Sequence, residues 1–550
     1  MNAPFSRYYF LLLLGLVVFM IAPLSVILSQ YWPKHADYVF YAMALKHFSA
    51  QLWAGDAFPR WLDEVNVGFG SPVFLFYGPL PFYVGSLWGW LSQWDPNGYF
   101  RLQLSMATAL LVSGFSARAW LRHYFPEDTA CKGALLYVCF PYTLVPLYLI
   151  PSSSQLWSLA LFPLLLSGAY KLTQTPLCAV LKLALVYALL SLAHLPSLIV
   201  FAWIPVCYAA FCAPAGKRVR ALLLAGGSGF LGACMAAFYL LPAFLNKAYI
   251  NVGHYTEPQF NYAMNFSHGY TLIGIGLILL PLAVLFFGMP KDKRKSLNTP
   301  QALFWQMVMI ILVFMTTIFS KPLWDAIPML QYLSFPFRFF LAAVPGAVFL
   351  ALLWNSDSRH KNLHFLLALA ICVMSPQVAL NIHFTKDDAS TKRVIEEQSI
   401  IFSEYYTRWM VEANVLPTEL ASLAMREPVQ LSAALLHMPD AVVSEGKAKL
   451  SDVIRTRNGF SFKADIGTAE ARISLRRFYF PDWQTNAGQV EPHKALLSVV
   501  LPQGTHQVEL QFAGFQGQGM GHAISLAAWL IFLALALAVA IDRNRGARPY

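Results

Sequence analysis

The sequence predicts a polytopic α-helical membrane protein of about 12 transmembrane helices with a C-terminal β-rich extramembrane domain. Three observations carry that reading. Of the 550 residues, 57% are hydrophobic and 12% charged, whereas a soluble domain devotes about a quarter of its residues to charge. Apolar runs of about 15–22 residues recur between short polar breaks, as helices crossing a hydrocarbon core of about 30 Å require. Between Asn381 and Gly521 the chain turns polar and alternates with period two in GFSFKADI, ARISLRRFYF and LLSVVLPQGTHQVELQF. Gly and Pro separate these pieces, the pattern of antiparallel strands.

In chain order the expected spans are Tyr8–Leu28, Leu102–Leu121, Ala134–Leu149, Leu156–Tyr170, Leu177–Leu192, Pro196–Phe211, Ala221–Leu241, Tyr270–Phe287, Ala302–Phe319, Phe339–Trp354, Leu363–Leu380 and Ile524–Ile541. The first is too long, and too thinly followed by small residues, to be a cleaved signal peptide. The chain thus divides into a transmembrane domain (1–380) whose first outer loop (30–101) contains interfacial helices, a β-rich outer domain (381–521), and a last helix with a basic cytoplasmic tail (522–550). All seven Cys lie in or beside the apolar runs, so neither a disulfide framework nor a Cys-based metal site is indicated.

The net charge of +11 resembles a nucleic-acid signature, but its placement follows the membrane. Of the 25 Lys and Arg outside residues 385–521, 18 fall in one set of loops, including Lys217/Arg218/Arg220 and the Lys291–Lys295 run, and seven on the other face. The positive-inside rule makes the first set cytoplasmic, with both termini, in a cell inner membrane. No nucleic acid is implied. This alternation holds only if Pro79–Trp94 does not cross. The segment is short, Trp- and Tyr-rich, and follows a loop with Lys34, Lys46 and Arg60 against Asp37, Asp56, Asp63 and Glu64. It is expected to lie against the outer face, since aromatic rings favour the headgroup zone.

Carboxylates are scarce in the membrane part, and five of the seven that face outward lie in the loop Gln30–Arg101. A general base or metal site is to be sought there.

A set of short motifs adds to this. They are Asp37, Pro59-Arg60-Trp61, Gly68-Phe69-Gly70-Ser71-Pro72, Phe76-Tyr77-Gly78-Pro79-Leu80-Pro81-Phe82-Tyr83, Ala193-His194-Leu195-Pro196, Tyr239 to Leu245, and Phe335-Pro336-Phe337-Arg338-Phe339. Together they resemble bacterial multi-pass proteins called 6-pyruvoyl-tetrahydropterin synthase-related, which are similar to the GT-C glycosyltransferase superfamily. The C-terminal FYFPDWQTNAGQ and LPQGTHQVEL resemble the outer domain of YfhO-like proteins. The pterin label is not a guide to chemistry: such a synthase needs a zinc-binding His cluster, and His437, His493 and His506 lack its spacing.

The GT-C resemblance implies transfer of a sugar from a polyprenyl-phosphate-linked donor in the membrane lipid to a glycan, lipid or protein acceptor on the outer face. It places a catalytic carboxylate just after the first helix, here Asp37, as the acceptor's base; the competing reading is a helix cap for Tyr38–His47. For the donor phosphate the candidates are Arg338, then Lys247 and Arg101, cations at outer helix ends, against simple snorkelling. Tyr41, Arg60 and His194 complete the expected substrate-binding set, although His194 also suits a packing role. The family commonly has His where this chain has Tyr41 and an acid where it has Gln155. A divalent metal is therefore left open, with Asp63 and Glu64 as weak ligand candidates against a solvated or Arg60-paired role. Two rival classes are a lipid or polysaccharide transporter or flippase, which would need ionisable residues at mid-span, and a non-catalytic envelope scaffold.

Overall fold

The computed structural model describes residues 5–33, 36–91, 95, 98–250, 261–266, 272, 274–276, 299–355, 384–386, 405–413 and 437–546. The expected spans Tyr270–Phe287 and Leu363–Leu380 lie largely or wholly outside these residues. The helices are α1 Tyr9–Gln30, α2 Ala36–Trp53, α3 Leu80–Leu87, α4 Tyr99–Leu121, α5 Glu127–Val138, α6 Ser153–Lys171, α7 Pro176–Ala193, α8 Leu195–Cys212, α9 Arg218–Met235, α10 Ala237–Asn246, α11 Pro300–Met315, α12 Phe340–Asn355 and α13 Gln518–Gly546. Among the described residues six helical spans are long and apolar enough to cross a membrane, or nine if each of three bent pairs counts as one. This count covers the described residues alone, whereas two of the about 12 expected spans lie largely or wholly outside them.

Helix α6 is the hub. Sixteen of its 19 residues are buried, so it is enclosed by protein rather than lipid. Phe162 stacks on Phe201 of α8 at 4.3 Å, and Trp120 of α4 meets Trp305 of α11 and Phe349 of α12, each at 5.8 Å.

Two expected spans are sharply bent instead of straight. The Ala221–Leu241 run breaks at Ala236, and the pair Ala215–Met235 and Ala237–Tyr249 is bent by 75°. A bend frees backbone groups that cannot stay unpaired in hydrocarbon. Here α13 serves them: Ser525 Oγ accepts from the Phe238 N–H at 2.8 Å and donates to the Cys234 carbonyl at 3.2 Å. Gly521 permits this approach, since a Cβ there would lie 2.7 Å from the Ala237 carbonyl oxygen. The Ala302–Phe319 run bends by 88° after Met315, whose carbonyl accepts from Ser320 Oγ and Trp324 Nε1.

The opening of the PLPFY stretch forms the eight-residue α3, about 12 Å long at about 1.5 Å per residue, far short of a span of about 30 Å. Its Pro81, Phe82, Gly85 and Ser86 are buried. It packs into the bundle beside α2 and α4: Ser86 Oγ bonds Ser49 Oγ at 2.9 Å, and Ser105 Oγ donates to the Pro81 carbonyl at 2.8 Å.

The alternating C-terminal segments form an antiparallel sheet, with strands β3 Ala441–Glu445, β4 Ala448–Thr456, β5 Gly459–Phe478, β6 Trp483–Thr485, β7 Gln489–His493 and β8 Leu496–Phe512. A separate short pair, β1 Tyr31–Pro33 and β2 Phe384–Lys386, ties the end of α1 to the polar segment. GFSFKADI and ARISLRRFYF do not form two strands. They run as the one 20-residue β5, with a register shift between Ile466 and Glu470. Phe462, Ile466, Ile473, Leu475, Val499, Leu501 and Val508 fill the sheet's buried face. Helix α13 begins at Gln518, before the expected Ile524.

The sheet is locked onto the first loop. Arg477 of β5, buried, donates to Asp63 Oδ1 at 3.0 Å, and Arg457 lies 3.9 Å from Asp63 Oδ2. Arg455 donates to the Gly68 carbonyl at 2.7 Å, Arg476 to that of Val67 at 2.8 Å, and the Phe478 N–H to that of Phe69 at 2.9 Å. This explains the G-F-G motif: Gly68 and Gly70 have φ of +85° and +79°, and a Cβ on Gly70 would lie 2.1 Å from Trp61 Nε1. Burial pushes the Asp63 carboxyl up against the pull of Arg477, Arg455 and Arg457. It pushes Arg477 down to about 10, which leaves it a cation at neutral pH.

Arg477→Met leaves Asp63 with only the more distant Arg457 at 3.9 Å and is expected to cost up to about 3–5 kcal/mol. Adding Asp63→Asn should recover part of that loss, as thermal unfolding of the purified variants will read out.

Candidate functional site

The motif residues converge where α2, the loop before α3, the start of α6 and the α7–α8 junction meet. Tyr41 of α2 is buried, and its hydroxyl bonds Ser152 Oγ at 2.9 Å and the Tyr77 hydroxyl. Ser152 caps α6 by accepting from the Gln155 N–H at 3.3 Å. The rings of Phe40, Phe82 and Tyr405 surround Tyr77 at 5.9–6.0 Å. Tyr239 donates to the Phe76 carbonyl at 2.7 Å. At Gly78 a Cβ would lie 2.5 Å from the Ala193 carbonyl oxygen, so only glycine lets this loop rest on the end of α7. The next residue, His194, caps α8 by accepting from the Ser197 N–H, with its Nδ1 2.8 Å from Ser197 Oγ. Three motifs far apart in sequence therefore meet at Phe76–Gly78.

Asp37 is the second residue of α2, one helical turn before Tyr41. It lies within the first turn of a helix that begins at Ala36 and not at Tyr38. Its side chain lies outside the described residues.

Arg338 sits in the turn Pro336–Phe339, half-buried, and donates from Nη1 to the Leu333 carbonyl at 2.6 Å with its guanidinium 5.2 Å from the Phe335 ring. Tyr142 anchors this turn by donating to the Phe337 carbonyl at 2.5 Å. The Arg338 charge is felt at His194 and Tyr142. That places it near the cluster with further donors to offer.

The other cations are placed differently. Arg101 is buried, with its Nε 3.9 Å from Asp95 Oδ2 and its guanidinium 5.3 Å from the Trp53 ring. Its backbone N–H also bonds Asp95, so it closes the turn before α4 instead of presenting a free cation. Lys247 is exposed, 4.5 Å over the Phe244 ring. Arg60 is buried at the α9–α10 elbow, where it donates to the Phe238 carbonyl at 2.8 Å and lies 3.1 Å from His522 Nε2. It braces the elbow. Asp63 faces Arg477 and Glu64 is exposed. Among the described residues no three of His, Cys, Asp or Glu gather as a metal-binding group. The Asp63–Glu64 pair does not fit a metal, since a guanidinium occupies its buried carboxylate.

Sequence reasoning missed Ser152 and Tyr405. PSSSQLW carries the cap signal for Ser152, a Ser just before a helical run, whereas nothing in the polar segment marks Tyr405 as a neighbour of Tyr77.

A family model described as 6-pyruvoyl-tetrahydropterin synthase related domain, membrane protein, matches residues 74–385. The chain belongs to this family. The family segment thus runs from the Tyr77 loop through Arg338, and this member is a multi-pass membrane protein. Three solved structures are similar at low identity. The arabinofuranosyltransferase AftD from Mycobacteria is 14% identical with a TM-score of 0.41, covering 77% of this chain and 29% of that one. The Archaeoglobus fulgidus oligosaccharyltransferase with zinc and sulfate is 14% identical, TM-score 0.31, covering 77% and 57%. The archaeal oligosaccharyltransferase AglB from Archaeoglobus fulgidus, with an inhibitory peptide and a dolichol-phosphate, is 12% identical, TM-score 0.31, covering 78% and 62%. The family member thus spans less than two thirds of each of these chains, and likeness at this level does not assign its chemistry. No curated protein sequence matches it.

Ser152→Ala removes both the cap of α6 and a Tyr41 partner. It is expected to lower stability by about 0.5–2 kcal/mol, measured by thermal unfolding, with Ser152→Thr close to wild type.

Proposed function

We propose that the protein is an integral membrane glycosyltransferase of the GT-C type, moving a sugar from a polyprenyl-phosphate-linked donor to a cell-envelope glycan, lipid or protein acceptor on the outer face. One observation carries the reading: the motifs behind the GT-C resemblance meet at Tyr41, Tyr77 and His194, with Asp37 one turn away and Arg338 nearby. Asp37 takes the acceptor's proton as the sugar's anomeric carbon bonds the acceptor oxygen and the lipid phosphate leaves with its electron pair. Arg338 holds that phosphate, for which its planar fork is suited. Tyr41, one helical turn along α2 from Asp37, is itself fixed by its bonds to Tyr77 and Ser152.

Asp37→Asn keeps size and most hydrogen bonding but cannot take a proton, so sugar transfer in membranes should fall about 10²–10⁴-fold at matched expression. Near-normal transfer would remove Asp37 from the mechanism. Arg338→Lys keeps the charge and loses the fork, and is expected to weaken donor binding while leaving protein level unchanged.

The orientation follows the basic asymmetry, with residues 30–101 and the sheet outside and both termini in the cytoplasm of a cell with an inner membrane. Glu64 and Lys217 are exposed on opposite faces in this arrangement. In a cysteine-free background, an impermeant thiol reagent added to intact cells should label Glu64→Cys and spare Lys217→Cys. Equal labelling would reverse the assignment.

A further inference from the structure

At the end of the bundle that carries the basic loops, the turn after α4 and helices α6 and α7 bring His123, Lys171 and Lys182 together around Ser167. Ser167 of α6 is buried, and its hydroxyl meets Lys182 Nζ and His123 Nε2, each at 3.0 Å. The His123 imidazole is held by stacking on Tyr170 at 4.5 Å and 17°. Burial, with the charges of Lys171, Lys182 and Arg122 added to it, pushes His123 down to about 4, so the imidazole is neutral at pH 7 and the cluster's cations are the two lysines.

The nearby carboxylates are engaged elsewhere. Glu127 lies 2.5 Å from Arg118 and 2.6 Å from Arg122, and Asp128 Oδ1 accepts from the Ser6 N–H at 2.9 Å. Among the described residues no carboxylate pairs with Lys182 or His123. The helix-end explanation covers only part of the cluster. Lys171 closes the C-terminus of α6, where the helix dipole favours a cation. Lys182 instead lies in the second turn of α7, toward its positive end, half-buried with a neutral hydroxyl as its partner. A half-buried ammonium crowded by like charges needs a counter-anion.

We propose that Lys182, Lys171, His123 and Ser167 form a binding site for a phosphate group, supplied by an anionic phospholipid headgroup or by the free ion. Lys is a good point-charge partner for phosphate, and basic pockets between helices at a membrane surface suit lipid headgroups. The site is independent of the transferase reading, since it uses none of the residues around Tyr41.

The test is thermal unfolding of the full chain in nanodiscs of phosphatidylcholine, alone or with about one fifth phosphatidylglycerol, with retained lipid read by native mass spectrometry. Phosphatidylglycerol is expected to raise the Tm by about 2–4 °C. Lys182→Gln keeps a donor for Ser167 and loses the charge, so it should abolish the shift, and Lys182→Arg should keep it. Lys171→Gln, at an exposed position, should reduce the shift and guards against misfolding of the first variant. Arg220→Gln, an exposed cation outside the cluster, should leave it intact. Protection by millimolar inorganic phosphate in pure phosphatidylcholine would assign the free ion. Protection by phosphatidylglycerol only would assign the headgroup. An equal shift in wild type, Lys182→Gln and Lys171→Gln would overturn the proposal, as would no shift with either source.

Discussion

The pairing of Asp63 with Arg477 joins the two halves of the molecule. Two opposite charges removed from water must keep each other, because either one left unpartnered is costly. That requirement fixes the first loop against β5, and the left-handed turn at Gly68–Gly70 then presents three carbonyls to Arg455, Arg476 and the Phe478 N–H. From this anchor the chain runs into the Tyr77 loop, whose glycine rests on the end of α7. The sheet therefore holds the loop on one side and the bundle holds it on the other.

The same rule of complete backbone pairing shapes the membrane part. The elbow at Ala236 is possible because Ser525 takes up the groups it frees, while Arg60 takes the Phe238 carbonyl that Pro242 leaves without a helical donor. Helix α13, distant in sequence, is thus a structural partner of α9 and α10 as well as a membrane anchor. The small residues Gly521 and Ser525 on its inner face allow the close approach, while much of its length stays open for lipid.

The polar groups in the bundle sort into two kinds. Around Tyr41, Tyr77, Ser152 and Ser197, hydroxyls satisfy one another and the ends of helices, which makes a rigid wall. Around Ser167, Lys182 and Lys171 converge, and among the described residues no carboxylate pairs with Lys182. The first kind needs no ligand to be stable, and the second is electrostatically incomplete in the protein by itself. The two lie at opposite ends of α6, which begins at Ser153 and ends at Lys171.

Composition and periodicity determined much of this architecture. The apolar runs marked the helices, because a bilayer admits few other solutions, and the period-two segments marked β5 and β8, since a sheet with one buried face must alternate. The glycines of G-F-G and of Tyr77-Gly78 were legible as motifs without a stated cause. Tertiary structure supplied the cause, in the contacts of Gly70 with Trp61 and Gly78 with Ala193. It also decided what each charge does. Arg60, Arg101 and Asp63 look alike in sequence as ionisable residues of the first loop, yet one braces an elbow, one closes a turn and one anchors the sheet. Hydropathy could not foresee the bends at Ala236 and Met315, because bent and straight helices bury the same residue types and differ in whether a distant side chain can serve the freed backbone. Nor could it place Tyr405 beside Tyr77, or gather His123, Ser167 and Lys182 from three helices. Such neighbourhoods depend on helix rotation and packing, which local sequence pattern does not encode.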